Sequence, residues 1–267
     1  MDDILLYAKF STGYISGGSA FGVTFDPEKA ASWEVGVKSD LLDRRLRLNV
    51  AAFTVKYSDM QQGVPGQLVG RPDLNLAQTN FGDSRARGIE VEASVVPVEG
   101  LSFDGAFTYT DFKYTDYTPF WLNAIASFGG APDTTPVWLR PSTTANFAFN
   151  YQSDPQPAFA DARLLLRFDV NYRSKVVTPG IFTASLPSLP GDTGSAQDIY
   201  RTGGNWIANA RVALKGISLT SGKIEIAAWA RNLLNNRGTV WGGYNYFTSA
   251  TTYEPARTYG LDLIIDF

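Results

Sequence analysis

The chain contains neither cysteine nor histidine among its 267 residues. Without Cys there is no disulfide framework and no thiolate metal site. Without His a Ser-His-Asp arrangement cannot be assembled, and acid–base chemistry near neutral pH loses its usual carrier. Charge is scarce too. Charged residues make up 18%, the net charge is −3, and Lys and Arg form no cluster suited to a phosphate backbone, so nucleic acid is not an expected partner. No segment approaches the roughly 18 to 20 uninterrupted apolar residues that a membrane helix requires, which excludes a helical membrane protein. The opening Met1, Asp2, Asp3, Ile4 carries no basic n-region and no small-residue cleavage site. For an exported protein that pattern is expected of a partial or trimmed chain.

What the chain does have is alternation. Tyr259, Leu261, Leu263, Ile265 and Phe267 occupy every second position to the last residue, and Ile264 is the one apolar intruder on the other register. A period of two describes a strand with one oily and one wet face. A strand with no tail to cover its edge belongs in a sheet that closes or pairs with more chain. Apolar residues reach 44%, while mean hydropathy is only −0.11. Alternating strands of a membrane barrel average out in just this way. The 13 Tyr, 17 Phe and 6 Trp are what two bilayer interfaces demand.

The same pattern recurs along the chain. Trp33, Val35, Val37 and Leu41 interleave with Glu34, Lys38 and Asp40, and Ile89, Val91, Ala93 and Val95 with Glu90, Glu92 and Ser94. Phe103, Phe107 and Tyr109 oppose Asp104, Thr108 and Thr110; Ala145, Phe147 and Phe149 oppose Thr144, Asn146 and Asn150. Leu164, Leu166, Phe168, Val170 and Tyr172 oppose Arg163, Arg167, Asp169 and Arg173. Trp206, Ala208, Ala210, Val212 and Leu214 oppose Asn209, Arg211 and Lys215, and Ile224, Ile226 and Ala228 oppose Lys223, Glu225 and Arg231. Two segments are less regular. The first strand, about 3–14, is ambiguous; Leu46, Leu48 and Val50 hold one register while Phe53, Val55 and Tyr57 hold the other, as a bulge or an inward apolar patch would produce. The total is ten strands.

Short connections near Asp43, Val98, 153–159 and 217–221 alternate with long ones at about 15–31, 61–75, 116–135, 177–198 and 236–255. Tight turns at one rim and long loops at the other describe an all-β, antiparallel, up-and-down transmembrane barrel. Several strands exceed the ~9–11 residues that cross a bilayer and are expected to project beyond it. A soluble β-sandwich also alternates, but its strands are usually shorter and its loops lack this asymmetry. A complete ten-stranded passive pore or adhesin is the other alternative, and it requires the first strand to pair with the tenth.

Certain stretches are familiar in order and spacing. Phe25 to Glu28 precedes Ser32 to Asp43, where Glu34, Val35, Gly36, Val37 and Lys38 lead through a tight turn into Arg45, Leu46, Arg47, Leu48 and Asn49. Further on come Arg85 to Glu92, Arg231 to Asn235, and Glu254 to Leu261 running to the terminal Phe. Together these resemble the β-barrel of TonB-dependent outer-membrane receptors over nearly the whole of residues 1–267. The resemblance implies the C-terminal part of a 22-stranded barrel, without the plug domain and energy-coupling box. It implies the outer membrane of a Gram-negative bacterium, surrounding lipid, and the TonB complex acting through a plug that is not in this chain. The small-molecule ligand in this family is most often a ferric siderophore. Tyr259, Leu261, Leu263, Ile265 and Phe267 look like the signal read by the barrel assembly machinery.

Barrel proteases, phospholipases and deacylases rely on His, so no catalytic residues are expected, and no cofactor or metal site is assigned. Asp192 and Asp198 with Thr193 and Ser195 do not match a known cation loop. The candidate ligand contacts are loop aromatics, Tyr117 and Trp121 in one loop and Trp241, Tyr244 and Tyr246 in another, because rings suit bulky amphipathic ligands. Interfacial placement or mutual packing would explain them equally well. Arg163, Arg167, Arg173, Arg211, Glu90 and Glu92 are expected on the wet face, holding a plug or guiding an anionic solute, or simply lining water as any barrel interior must.

Overall fold

The computed structural model describes residues 3–20, 22–64, 66–74, 77–127, 137, 140–177, 201–245 and 248–266. In chain order the strands are β1 (Asp3–Ile15), β2 (Gly18–Ala20), β3 (Val23–Phe25), β4 (Glu28–Leu41), β5 (Leu46–Val64), β6 (Ala77–Val98), β7 (Leu101–Tyr114), β8 (Thr143–Gln152), β9 (Arg163–Arg173), β10 (Val176–Val177), β11 (Arg201–Thr202), β12 (Asn205–Leu219), β13 (Gly222–Arg231), β14 (Thr239–Asn245), β15 (Thr248–Tyr253) and β16 (Thr258–Asp266). Among the described residues there is one α-helix, α1 (Pro119–Ser127), between β7 and β8, besides short 3-10 turns at Gly66–Val69 and Pro157–Phe159. Ten of the strands form one antiparallel sheet in the order β1-β4-β5-β6-β7-β8-β9-β12-β13-β16. Sequential strands are always neighbours, so the topology is a plain meander, and its ten strands are those the alternation predicts.

Register makes the two faces explicit, because residues paired across antiparallel strands point the same way. Val37, Val50, Val91, Phe107, Ala145 and Tyr172 form one continuous row across six strands. The adjacent row, from Ala51 through Glu90 to Thr108 and Thr144, is polar and faces the other side. Large apolar side chains on the first face are left open, among them Leu6, Trp33, Ile89, Leu261 and Leu263. A soluble sandwich would bury this face against a second sheet; among the described residues there is a single large sheet and its apolar face is bare. The sandwich alternative is therefore set aside.

The two edges of the sheet are β1 and β16, and among the described residues they pair with β4 and β13 but not with each other. A self-contained ten-stranded pore needs that closing pair, so this alternative also falls. The register switch in β5 has the second of its two explanations. Pairing of β5 with β4 is unbroken from Leu46 to Ser58, which puts Phe53, Val55 and Tyr57 on the polar face as an inward apolar patch. The irregularity lies higher up, between Tyr57 and Gln61 on the β6 side, where Asp59 adopts φ 55°.

The rims also differ as predicted, with one addition. The turn between β4 and β5 is made by Leu42, Asp43 and Arg44, all with positive φ, and closed by Arg45 N–H donating to Leu42 O at 3.1 Å. At the opposite rim the long connections are not plain loops: β2–β3 and β14–β15 are small hairpins, β10 and β11 form a further short antiparallel pair, and α1 packs on the upper ends of β5 and β6. β6 runs for 22 residues, about 70 Å at ~3.3 Å per residue, twice what a bilayer needs.

The bare face generates a prediction. Replacing Val91 with Arg should cost about 2–4 kcal/mol of stability in lipid vesicles, whereas Thr108→Arg on the polar face should cost about 1 kcal/mol or less. Urea unfolding of the protein in vesicles measures both, and equal costs would contradict the face assignment.

Candidate functional site

Two surfaces qualify: the elaborated rim and the polar face. At the rim, the buried cluster of Val64, Ala77, Phe81, Trp121 and Ala124 ties the upper ends of β5 and β6 to α1, with Tyr114, Tyr117 and Phe120 packed around it. The Phe81 ring stands 4.6 Å from that of Trp121 and 5.1 Å from that of Tyr117. Backbone approach is just as close: at Gly82, φ 142°, a Cβ would lie 2.2 Å from Asp116 O, so only glycine fits. Asp83 O accepts from Thr115 N–H, and Phe81 O from Thr118 N–H. The segment leading into α1 is thereby stitched along the projecting part of β6.

Of the loop aromatics, Trp121 is only 1% exposed and acts as the centre of this cluster, so its ring packs rather than presents itself. Tyr117 lies at the edge of the same cluster. Trp241 and Tyr244 fall on β14, opposite Thr252 and Ser249 of β15, while Tyr246 lies outside the described residues. The two aromatic groups therefore sit on separate hairpin and helix elements. The possible cation loop around Asp192 to Asp198 also lies outside the described residues.

The connection between β5 and β6 is braced by charge: Arg71 donates to both oxygens of Asp73, at 2.8 and 2.6 Å. This bond holds the Asp73 carboxyl below the usual carboxylate range.

Register puts Arg163, Arg167, Arg173, Arg211, Glu90 and Glu92 on the polar face of the sheet. Arg211 reaches Glu225 at 2.6 Å and Asp262 at 3.9 Å, with Lys215 sharing Glu225 at 3.9 Å. Arg167 pairs with Asp169 at 3.7 Å, and Asn209 also donates to Asp169, at 2.7 Å. Two open clefts of about 400 Å³ each flank Arg167 and Arg211. Further round, Glu92 accepts from Asn49 at 3.2 Å, and Glu90 lies in register between Ala51 and Thr108. The two remaining arginines act as braces. Arg163 donates to Ser153 O in the short turn before β9. Arg173 donates to Thr202 Oγ1 and Thr239 O, each at 3.0 Å, linking the sheet to β11 and to the start of β14.

One residue that alternation does not reveal is Asn232. It is buried with φ 50°; its side chain donates to Asn236 O and Pro255 O and accepts from Asn236 N–H, while its own N–H donates to Asn209. The signal was the residue type, since Asn tolerates left-handed backbone and can hydrogen-bond its neighbours there.

This arrangement, a long meander with one bare face, a charged opposite face and a built-up rim, can be set beside known proteins. The family described as TonB dependent receptor-like, beta-barrel matches residues 1–233. The chain belongs to that family. Barrels of this family lie in the outer membrane of Gram-negative bacteria, and so does this one, its apolar face toward lipid and its polar face toward the barrel interior.

Among curated relatives, the metal-pseudopaline receptor CntO of Pseudomonas aeruginosa is 32% identical over 115 residues, 42% of this chain and 15% of that receptor. The ferrichrome outer membrane transporter/phage receptor of Escherichia coli is 30% identical over 105 residues, 39% of this chain and 13% of its own length. The ferric yersiniabactin uptake receptor FyuA of Yersinia pestis superposes with a TM-score of 0.70 at 19% identity, over 99% of this chain and 35% of that one. For the ferric preacinetobactin receptor BauA of Acinetobacter baumannii the values are 0.64, 21%, 99% and 34%. The chain thus spans about a third of the length of these solved receptors. These relatives are transport receptors rather than enzymes.

Trp121→Ala should remove about 3–5 kcal/mol from the rim cluster. The expected result is faster proteolysis between 64 and 127 with an intact membrane sheet, read by limited digestion of the receptor in vesicles. Cleavage rates unchanged from wild type would show that the cluster does not hold the rim.

Proposed function

We propose that the receptor to which this chain contributes takes up a scarce nutrient, a ferric siderophore or a similarly bulky metal chelate, energised by TonB. The observation that carries this reading is family membership over residues 1–233, joined to a rim built of hairpins and a helix on strands longer than the bilayer needs. The relatives named above are receptors for metal-pseudopaline, ferrichrome, ferric yersiniabactin and ferric preacinetobactin, and the same class of ligand is assigned to this chain. Residues 1–267 act as the C-terminal part of a larger barrel. The plug that fills the interior and contacts TonB is supplied by the rest of the receptor, and pairing beyond β1 and β16 completes the wall. Tyr259, Leu261, Leu263 and Ile265, exposed on the lipid side, together with Phe267 (outside the described residues), serve as the signal for the barrel assembly machinery.

Ligand capture is assigned to Tyr117, Trp241, Tyr244 and Tyr246, with Trp121 packed on the same Phe81 ring as Tyr117. Arg167, Arg211, Glu90 and Glu92 form the interior wall against which a plug docks.

The test is iron uptake. The natural full-length receptor, expressed in a host without its own siderophore receptors, should accumulate radioactive iron from at least one of ferrichrome, ferric yersiniabactin and ferric preacinetobactin. Deleting TonB should abolish the accumulation. Uptake that persists without TonB would point to a passive pore, and no uptake of any chelate, with iron-limited growth unchanged, would remove the siderophore reading.

A further inference from the structure

Above the bare apolar band, the lipid-side face of the sheet changes character abruptly. Lys56 of β5 pairs with Arg85 of β6, and Arg85 in turn with Lys113 of β7, so three cations stand side by side in one cross-strand row. With strands about 4.8 Å apart, their backbones span only about 10 Å. Like charges directly opposite one another in a sheet are destabilising. One row lower lies Arg87, between Thr54 and Asp111, and one row higher on β4 is Lys29, opposite Ser58. All five share the face of Trp33, Ile89 and Tyr109, because each is separated from one of these by an even number of register steps.

Two carboxylates, Asp83 and Asp111, sit among them. Asp83 pairs with Lys56 at 3.3 Å, and Asp111 with Arg87 at 3.2 Å and Lys113 at 3.7 Å. Five cations against two carboxylates leave an excess of three positive charges. Arg85, in the middle of the row, has no acidic partner among the described residues, and its Nε is buried with no hydrogen-bond acceptor. The side chains of Lys56, Arg87 and Lys113 are more than half exposed. Directly below, the same face holds an open cleft of about 580 Å³ lined by Trp33, Val35, Ala52, Ile89 and Tyr109, with Arg87 and Asp111 at its upper end.

We infer that this surface is a binding site for a phosphorylated, acylated lipid of the outer leaflet, its phosphate held by Lys56, Arg85 and Lys113 and its acyl chains lying in the cleft below. The charge excess, the unmatched arginine and the height all fit that occupant. Arg87 stands about 7 Å and Arg85 about 13 Å above Ile89, at ~3.3 Å per residue, which is where headgroups begin above an apolar band. Arg presents a planar fork suited to phosphate oxygens, and Lys adds point charge on either side. A soluble anion would exploit the cations but not the apolar cleft beneath them. The inference rests on the apolar face being the lipid face, and not on which nutrient the receptor carries.

Native mass spectrometry of the full-length receptor, released from detergent micelles, tests it. Titration with diphosphorylated lipid A should show one tightly retained molecule, and the K56Q/R85Q/K113Q variant should retain it about 100-fold more weakly, at roughly a factor of five per basic residue near a charged lipid surface. Lipid A stripped of its phosphates should bind wild type and variant alike, at the variant's weak level. Heat-modified gel mobility checks that the variant barrel is folded, and R85K provides a milder change that should keep most of the binding. Equal retention of diphosphorylated lipid A by wild type and folded triple variant would overturn the site. So would equal retention of the stripped lipid by wild type, or full displacement of lipid A by millimolar inorganic phosphate.

Discussion

In hydrocarbon no water remains to satisfy a backbone amide, and each unpaired group there costs several kcal/mol. The cross-strand hydrogen-bond ladder is the constraint from which the rest of this molecule follows. Eight interior strands of the sheet are paired on both sides without a break through the apolar band, and the register interruptions lie toward the rims: at 57–61 in β5, 95–98 in β6 and 215–217 in β12. Above and below the bilayer water can fill a gap in the ladder, so bulges and left-handed turns such as that at Leu42, Asp43 and Arg44 are tolerated there.

A ladder fixed in this way leaves side chains only two directions, and the two faces then solve opposite problems. Toward lipid, large apolar residues stay uncovered, and the aromatic pairs Phe10–Trp33 and Tyr172–Trp206 stack side by side at 4.6 and 4.5 Å. Toward the interior, charges are partnered close at hand: Arg211 is neutralised by Glu225 and Asp40 by Arg47, and Asp104 accepts a hydrogen bond from the Ser94 hydroxyl. Most of these ties link adjacent strands, so the charge that keeps the interior wet also stiffens the wall. The lipid-side cations around Arg85 depart from this habit, since three of them stand in one row with too few carboxylates to match.

The conventional hydrophobic core has moved to an unusual place. A single layer in lipid has nothing to pack against, and the buried cluster around Phe81 and Trp121 therefore forms at the rim, where water makes apolar burial favourable again. Strands that overshoot the bilayer give that cluster a rigid platform, and Arg173 and Asn232 connect the sheet to the neighbouring rim elements.

All ten strands, the rim asymmetry, the lipid face and the family could be read from the chain itself, because a period of two is local and the ladder enforces it through the apolar band, breaking only toward the rims. The positions of Arg167, Arg211, Glu90 and Glu92 on the interior face follow from the same arithmetic. Other features needed contacts between residues far apart in sequence. Trp121 in a loop could have been a ligand contact or a packed ring, and only its meeting with Phe81, forty residues away, places it in a cluster. Whether Phe53, Val55 and Tyr57 marked a bulge or an inward patch depended on unbroken pairing with β4. The row of Lys56, Arg85 and Lys113 is invisible in a sequence where they are dispersed; pairing register alone brings them side by side. Periodicity sets which way each side chain points, and tertiary pairing decides which others it meets.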